Sequence, residues 1–180
     1  MGEHTRWDNN EDGTEQTIPV TKKWEHPCID AAVLHLSKPA ILNDYVQIVE
    51  LADTEPPSGT MLTVSGWGKT SESSLSRTLQ KLEVPKASRA KCNAAFKGDR
   101  KLHQYCLGDA NAHEYTNICS GDSGSPIVMD KGEGRVWQVG IVEAAPLVGN
   151  TICPPHKRFS IAVSVRSIRD WVNRKIGECL

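Results

Sequence analysis

Apolar and polar residues alternate along most of this chain in short runs that are bounded by Gly, Pro, Asn or Asp. Alternation with a period of two is typical of β-strands that bury one face. The predicted strands are residues 17–23, 32–36, 61–65, 78–84, 104–107, 126–129, 136–142 and 160–165. Because the turn signals recur at close intervals, the pattern favours an all-β fold of the barrel type.

Two segments show helical spacing instead. Ser88 can cap a short helix that continues through Cys92 to Phe96. From Ser167 onward, the apolar residues fall on one face of a predicted C-terminal helix. These residues are Ile168, Trp171, Val172 and Ile176. A length of 180 residues fits a single domain, and the chain contains no internal repeat.

The balance of charge argues against two classes of partner. Charged residues make up 24% of the chain and its net charge is −1, so no basic surface for nucleic acid or an anionic membrane is expected.

No apolar run reaches the roughly 18 residues that a membrane-spanning helix needs. Residues 1–6 also lack an apolar stretch, so we expect no signal peptide in this chain.

Residues 119–126, with the sequence Cys-Ser-Gly-Asp-Ser-Gly-Ser-Pro, carry the candidate chemistry. They place Ser123 on a predicted tight turn, where small residues let the backbone bend sharply and present the hydroxyl as a nucleophile. On such a turn the N–H groups of Gly121 and Ser123 can converge on a developing oxyanion. The alternative is a Gly/Ser turn between two strands that has no chemical role.

The six cysteines have no metal-ligand spacing, so they are interpreted as disulfide partners rather than as a zinc site. Disulfides imply an oxidising compartment. A chain that lacks the start of a longer secreted protein would reconcile these cysteines with the missing signal peptide. A cytosolic protein with reduced thiols is the alternative.

The serine segment resembles the active-serine signature of the chymotrypsin-like serine proteases, the trypsin or S1 family, and departs from it only at Ser125. Further segments resemble family motifs in the same order along the chain. They are residues 1–4, 26–27, 29–36, 64–68 and 139–142, and Trp171. The resemblance covers essentially the whole chain but starts part-way into the family's domain.

This resemblance implies two Greek-key β-barrels with an active site between them. Residues 1–180 would form one S1-like domain with a partial first barrel and a complete second barrel. Within it, residues 1–55 would be the remnant of the first barrel, 56–166 the second barrel and 167–180 the C-terminal helix. The expected partner is a polypeptide substrate or another protein, and the full-length form is expected to be secreted.

The resemblance also assigns catalytic roles. Ser123 would be the nucleophile, the amides of Gly121 and Ser123 the oxyanion hole, and Asp30 the residue that orients a histidine. A turn or strand-end aspartate is the alternative for Asp30. The family's Ala-Ala-His-Cys segment does not occur here, so we expect a serine endopeptidase that is inactive as written. A non-catalytic homologue that acts as a secreted binding protein is the alternative.

The substrate pocket implied by the resemblance is unusual in charge. Asn117 stands six residues before Ser123, and a neutral amide there argues against a strong preference for basic side chains. Glu143 would place a second carboxylate beside Asp30, with repulsion or a raised pKa as the consequence. The remaining predicted pocket residues are Ala144, Ala145 and Ser160.

The remaining implications concern cysteines, calcium and Asp122. By family position Cys92 pairs with Cys106 and Cys119 with Cys153, whereas Cys28 and Cys179 have no assigned partner. Asp122 is expected to cap its own turn. No cofactor is predicted. The acidic segment 10–15, with Glu3 ahead of it, nevertheless resembles a loop that binds calcium in some family members. Its candidate ligands are Glu3, Glu11 and Glu15, and a solvated acidic loop is the alternative.

Overall fold

The computed structural model describes residues 1–5, 13–70, 74–98, 101–109, 118–144 and 159–178. Within these ranges the chain forms nine strands and two helices. The first three strands are β1 (Val20–Glu25), β2 (Ala32–Leu36) and β3 (Glu50–Leu51). They are followed by β4 (Met61–Gly66), β5 (Gln80–Pro85), helix α1 (Arg89–Ala95) and β6 (Gln104–Leu107). The last elements are β7 (Pro126–Asp130), β8 (Val136–Ala144), β9 (Ser160–Ser164) and helix α2 (Val165–Gly177).

The main sheet closes on itself. Its strand order is β5-β4-β7-β8-β9-β6, with antiparallel neighbours, and β3 adds to β8 in parallel. The two outer strands meet where Lys86 bridges Leu107. There the amide of Ala87 donates to the Cys106 carbonyl at 2.9 Å, and the amide of Gly108 donates to the Pro85 carbonyl at 2.9 Å. The predicted all-β barrel class is therefore confirmed.

The barrel interior explains the alternating pattern of the sequence. In β4, Leu62 and Val64 are buried, whereas Thr63 and Ser65 between them are partly exposed. The interior cluster consists of Ala52, Leu62, Val64, Val84, Tyr105, Leu107, Ile118, Ile127, Val139, Val142 and Ala162. Successive strand residues point to opposite faces, so a period of two places one set inside the barrel.

Strands β1 and β2 form a separate two-stranded sheet that packs against α2. Trp24 and Val33 of this sheet lie against Ile168 and Trp171 of the helix. At the end of the predicted apolar face, Ile176 is 49% exposed. That position lies in the last turn, beyond the surface that the hairpin and barrel cover.

Several element boundaries differ from the sequence prediction by one to three residues, and one strand was missed. Strand β1 begins at Val20 rather than residue 17, because Pro19 has no N–H to donate to a ladder. Helix α2 begins at Val165, directly after β9 and two residues before the predicted start. Strand β3 was not predicted, since two residues are too short to show a pattern. Neither helix in the described residues is long and apolar enough to cross a membrane.

Candidate active site

Ser123 lies exposed on a turn between the buried residue Cys119 and the start of β7. Gly121 and Gly124 flank it with φ angles of +100° and +84°, in the left-handed region that favours glycine. At Gly121 the fit is also close, since a Cβ there would lie 2.6 Å from the Leu75 side chain and 3.1 Å from the Cα of Gly68. The turn therefore depends on glycine both for its backbone angles and for its packing.

The Asp122 carboxylate ties this turn to the end of β4. One oxygen accepts the amide of Gly68 at 2.8 Å and the other accepts the amide of Cys119 at 2.9 Å. The second bond is the expected turn cap, whereas the first joins residues 54 positions apart. A Cβ at Gly66 or Gly68 would collide with the carboxylate. The glycines around Trp67 are therefore needed to let Asp122 approach.

Backbone hydrogen bonds fix both ends of the turn. The amide of Lys69 donates to the Ser120 carbonyl at 3.0 Å. At the other end, the amide of Gly124 donates to Val142 of β8 at 2.8 Å, and Val142 donates back to the Ser125 carbonyl at 3.0 Å. The turn is thus held between the residues that follow β4 and the C-terminal part of β8.

The amides of Gly121 and Ser123 are the predicted oxyanion donors. Within the described ranges, neither amide donates to a backbone carbonyl or a side chain. Both are therefore available to a ligand oxygen. Their convergence on one oxygen remains a prediction.

Glu143 of β8 has a partner that the sequence did not indicate. The Nε2 of Gln104 donates to both oxygens of the Glu143 carboxylate, at 2.8 and 2.7 Å. Gln104 is only 5% exposed, and its own oxygen accepts the amide of Lys101 at 3.3 Å. Burial lowers the pKa of the adjacent His103, and the Glu143 charge acts in the opposite direction. Glu143 is thus held by a buried amide at the barrel wall.

Asp30 is exposed in the bend that precedes β2. In the part of the chain that the structure describes, no hydrogen bond joins its carboxylate to Ser123 or to Glu143. The same bend contains His26, whose Nδ1 accepts the amides of Cys28 at 3.2 Å and Ile29 at 3.1 Å. The structure therefore brings Gly121, Asp122 and Ser123 together in one turn but shows no link from them to Asp30.

Several predicted site residues cannot be placed. Asn117, Ala145, Cys153, Cys179 and Glu11 lie outside the described residues. Ala144 belongs to β8, and only its backbone is described. Ser160 is buried at the start of β9, opposite Leu107. The composition of the substrate pocket therefore remains a prediction.

The structure describes the bonding state of four of the six cysteines. Cys92 is bonded to Cys106, which joins α1 to β6 with a Cα separation of 5.7 Å. Cys119 is also disulfide-bonded, and its predicted partner Cys153 is among the residues not described. Cys28 is a free, exposed thiol.

A pocket of about 400 Å³ lies beside Gly121. Among the described residues, Glu3, Trp67 and Leu75 also line it. Glu3 was predicted as a calcium ligand with Glu11 and Glu15. Among the described residues, no group of three or more His, Cys, Asp or Glu side chains could hold a metal ion. Glu11 lies outside the described residues. Sequence reasoning missed this pocket, because Glu3 and Trp67 are far apart in the chain.

Comparison with known proteins agrees with this architecture. The family model described as Trypsin matches residues 1–172. Trypsin-3 of Salmo salar is 39% identical over 184 residues, covering 96% of this chain and 71% of that protein. Trypsin-1 of the same species is 39% identical over 127 residues, which is 66% of this chain and 52% of that protein.

A solved structure also shares the fold. It is described as neuropsin, a serine protease expressed in the limbic system of mouse brain. The alignment has a TM-score of 0.81 at 24% identity and covers 98% of this chain and 77% of that one. The curved sheet and the C-terminal helix therefore have the arrangement of a known structure.

Proposed function

The chain belongs to the trypsin family of serine proteases, and from this membership we propose that Ser123 is the nucleophile of a serine endopeptidase site. One observation carries the proposal. The Ser123 hydroxyl is exposed on a glycine-flanked turn that the Asp122 carboxylate anchors through two backbone amides. Such a turn presents a hydroxyl to a polypeptide carbonyl and holds it in place.

The proposed chemistry is acyl transfer with the roles of the family's Ser-His-Asp triad. In a longer form of the protein that supplies a histidine base, the Ser123 oxygen attacks the scissile carbonyl carbon while its proton passes to that histidine. The amides of Gly121 and Ser123 donate to the oxyanion that forms. Asp30 orients the histidine and stabilises its charged form. A neutral Asn117 in the specificity pocket disfavours a buried Lys or Arg at the residue whose carbonyl is attacked.

We further propose that these 180 residues by themselves hydrolyse peptides very slowly. By the family resemblance, no histidine of the chain occupies the position of the general base. The six histidines are His4, His26, His35, His103, His113 and His156. A serine hydroxyl without an adjacent base is a poor nucleophile, and the loss amounts to several orders of magnitude.

A fluorophosphonate probe tests both claims, with the labelled residue located by mass spectrometry. We expect slow labelling at Ser123 that added imidazole accelerates, because imidazole supplies the missing base. Ser123→Ala should abolish this labelling, and the neighbouring control Ser125→Ala should retain it. Labelling without imidazole at the rate of an active serine protease would overturn the claim of low activity. No labelling of Ser123 even with imidazole would overturn its role as nucleophile.

A homologue that binds a protein partner without cleaving it is the second candidate. It is favoured by the segment 41–48, which exposes four large apolar side chains. These are Ile41, Leu42, Tyr45 and Ile48, exposed by 72%, 51%, 67% and 79%. Clustered exposed apolar groups are typical of interaction sites. Imidazole-dependent cleavage of a peptide by Ser123 would decide in favour of the protease.

The proposal includes an extracellular location for the full-length protein. Its support is the bonding of Cys92, Cys106 and Cys119 in disulfides, which persist in oxidising compartments.

A further inference from the structure

The bend that precedes β2 is closed around the side chain of His26. The Nδ1 atom of His26 accepts the amides of Cys28 at 3.2 Å and Ile29 at 3.1 Å. Backbone bonds complete the bend, since the His26 amide donates to the Ala31 carbonyl at 2.9 Å and the Ala31 amide donates to the Ile29 carbonyl at 2.8 Å. Asp30 lies within this bend, directly after an amide that the His26 ring binds.

Helix α2 holds both the ring and the bend. The His26 ring is half-buried and lies edge-on to the Trp171 ring, with the ring centroids 5.0 Å apart and the planes at 70°. Ile29 and Ala31 pack into the apolar cluster that includes Trp171. The exposed Asp30 between them is therefore fixed on both sides as long as the bend stays closed.

The two amides at Nδ1 specify the protonation state of the ring. In a neutral imidazole one nitrogen donates and the other accepts, whereas in the cation both nitrogens donate. His26 can accept the amides of Cys28 and Ile29 only while Nδ1 carries no proton, so the neutral ring has its proton on Nε2. A second proton would occupy the lone pair of Nδ1 and release both amides.

Charged and titratable groups reach His26 from its own segment and from the barrel wall. They are Glu25, Cys28 and Asp30 on the segment, and His103 with its interaction partners Lys101 and Glu143 on the wall. Burial lowers the pKa of His103, and the charge of His26 acts in the same direction. Protons on the two histidines therefore repel each other. Helix α2 contacts the ring through Trp171, which does not titrate.

From this geometry we infer that His26 is a positioning residue for Asp30 and that it acts only in its neutral form. Neutral His26 closes the bend and fixes the backbone on which Asp30 is carried. Protonated His26 releases the amides of Cys28 and Ile29, so the bend opens in weak acid and Asp30 loses its fixed orientation. The inference rests on the proposed function, in which Asp30 orients the histidine base. It adds regulation by pH through a residue outside the triad.

The test follows backbone amides of the full chain by NMR from about pH 8 to about pH 5, the interval in which histidine side chains take up a proton. We expect the protection of the Cys28 and Ile29 amides against hydrogen exchange to fall by about tenfold, after correction for the intrinsic effect of pH, because both lose their acceptor. The amide resonance of Asp30 should shift with the same midpoint as the ring resonances of His26.

Variants separate the acceptor from the ring. His26→Asn keeps a side-chain acceptor that does not titrate, so it should preserve the protection in acid. His26→Leu keeps an apolar side chain against Trp171 but has no acceptor, so it should give the open bend in acid and in base. His35→Asn is the matched control, because His35 lies on the same hairpin and its Nδ1 meets the Thr21 hydroxyl at 3.1 Å instead of the bend. It should leave the loss of protection unchanged.

His103→Gln tests the other source of a pH effect, the repulsion between the two histidines. The loss of protection should survive in this variant, because the proton on Nδ1 is sufficient to release the amides. A loss that disappears in His103→Gln would overturn the inference, as would unchanged protection of both amides in acid or a loss that persists in His26→Asn. An Asp30 resonance that stays fixed while the bend opens would equally overturn it. Fluorophosphonate labelling of Ser123 decides the proposed function separately.

Discussion

Replacing Asp122 with alanine should destabilise the protein strongly, because two buried backbone amides would lose their acceptor. Gly68 and Cys119 are both buried, so water cannot easily replace the carboxylate. A hydrogen bond to a charged group contributes about 1.5–3 kcal/mol. Two such bonds give about 3–6 kcal/mol, and we expect the lower end, about 3 kcal/mol, because Asp122 itself is only half-buried.

The assay is equilibrium unfolding in urea under oxidising conditions. With a denaturant slope of about 2 kcal/mol per molar, a loss of about 3 kcal/mol lowers the midpoint by about 1.5 M. Asp122→Asn keeps one acceptor oxygen and should lose about half as much. Asp130→Ala is the matched control, since Asp130 accepts a single amide, that of Gly132 at 2.7 Å, in an exposed turn. A loss below about 0.5 kcal/mol for Asp122→Ala would refute this account of the turn.

Two more outcomes follow from the barrel and its wall. Gly140→Ala should lower the free energy of unfolding in urea by about 1–3 kcal/mol, because its Cβ would collide with the Tyr105 hydroxyl. Adding Tyr105→Phe to this variant should recover part of the loss. Burial lowers the pKa of His103 below 6.5, so the unfolded chain binds a proton at this histidine more readily than the folded chain does. The free energy of unfolding should therefore fall as the pH drops below about 6.5. His103→Gln should make that fall smaller, and an unchanged pH profile would show that His103 does not contribute.

Local structure could be predicted from the sequence where all the residues that determine it lie in one short segment. The alternation through β4 gives its buried and exposed faces, and Ser88 caps α1 by accepting the amide of Lys91. The serine turn could be predicted in the same way, because its glycines and the capping residue Asp122 lie next to Ser123 in the sequence.

Contacts between distant segments could not be predicted in this way. Glu143 and Gln104 are 39 positions apart and meet only because β9 brings β8 and β6 to the same wall. The two glycines around Trp67 indicate that something approaches closely, but not that it is Asp122. The pocket needs residues from three separate segments, so no single motif could reveal Glu3 as part of it.

The division into a closed barrel and a separate hairpin has a consequence for local motion. The inner strands of the barrel, β4, β7, β8 and β9, are bonded on both sides. Within the described residues, β1 and β2 pair only with each other and are held in place by side-chain contacts with α2. Opening the hairpin therefore breaks few backbone bonds and leaves the barrel intact. In hydrogen-deuterium exchange, the amides of β1 and β2 should exchange early as one cooperative unit, and those of the barrel should exchange only on global unfolding.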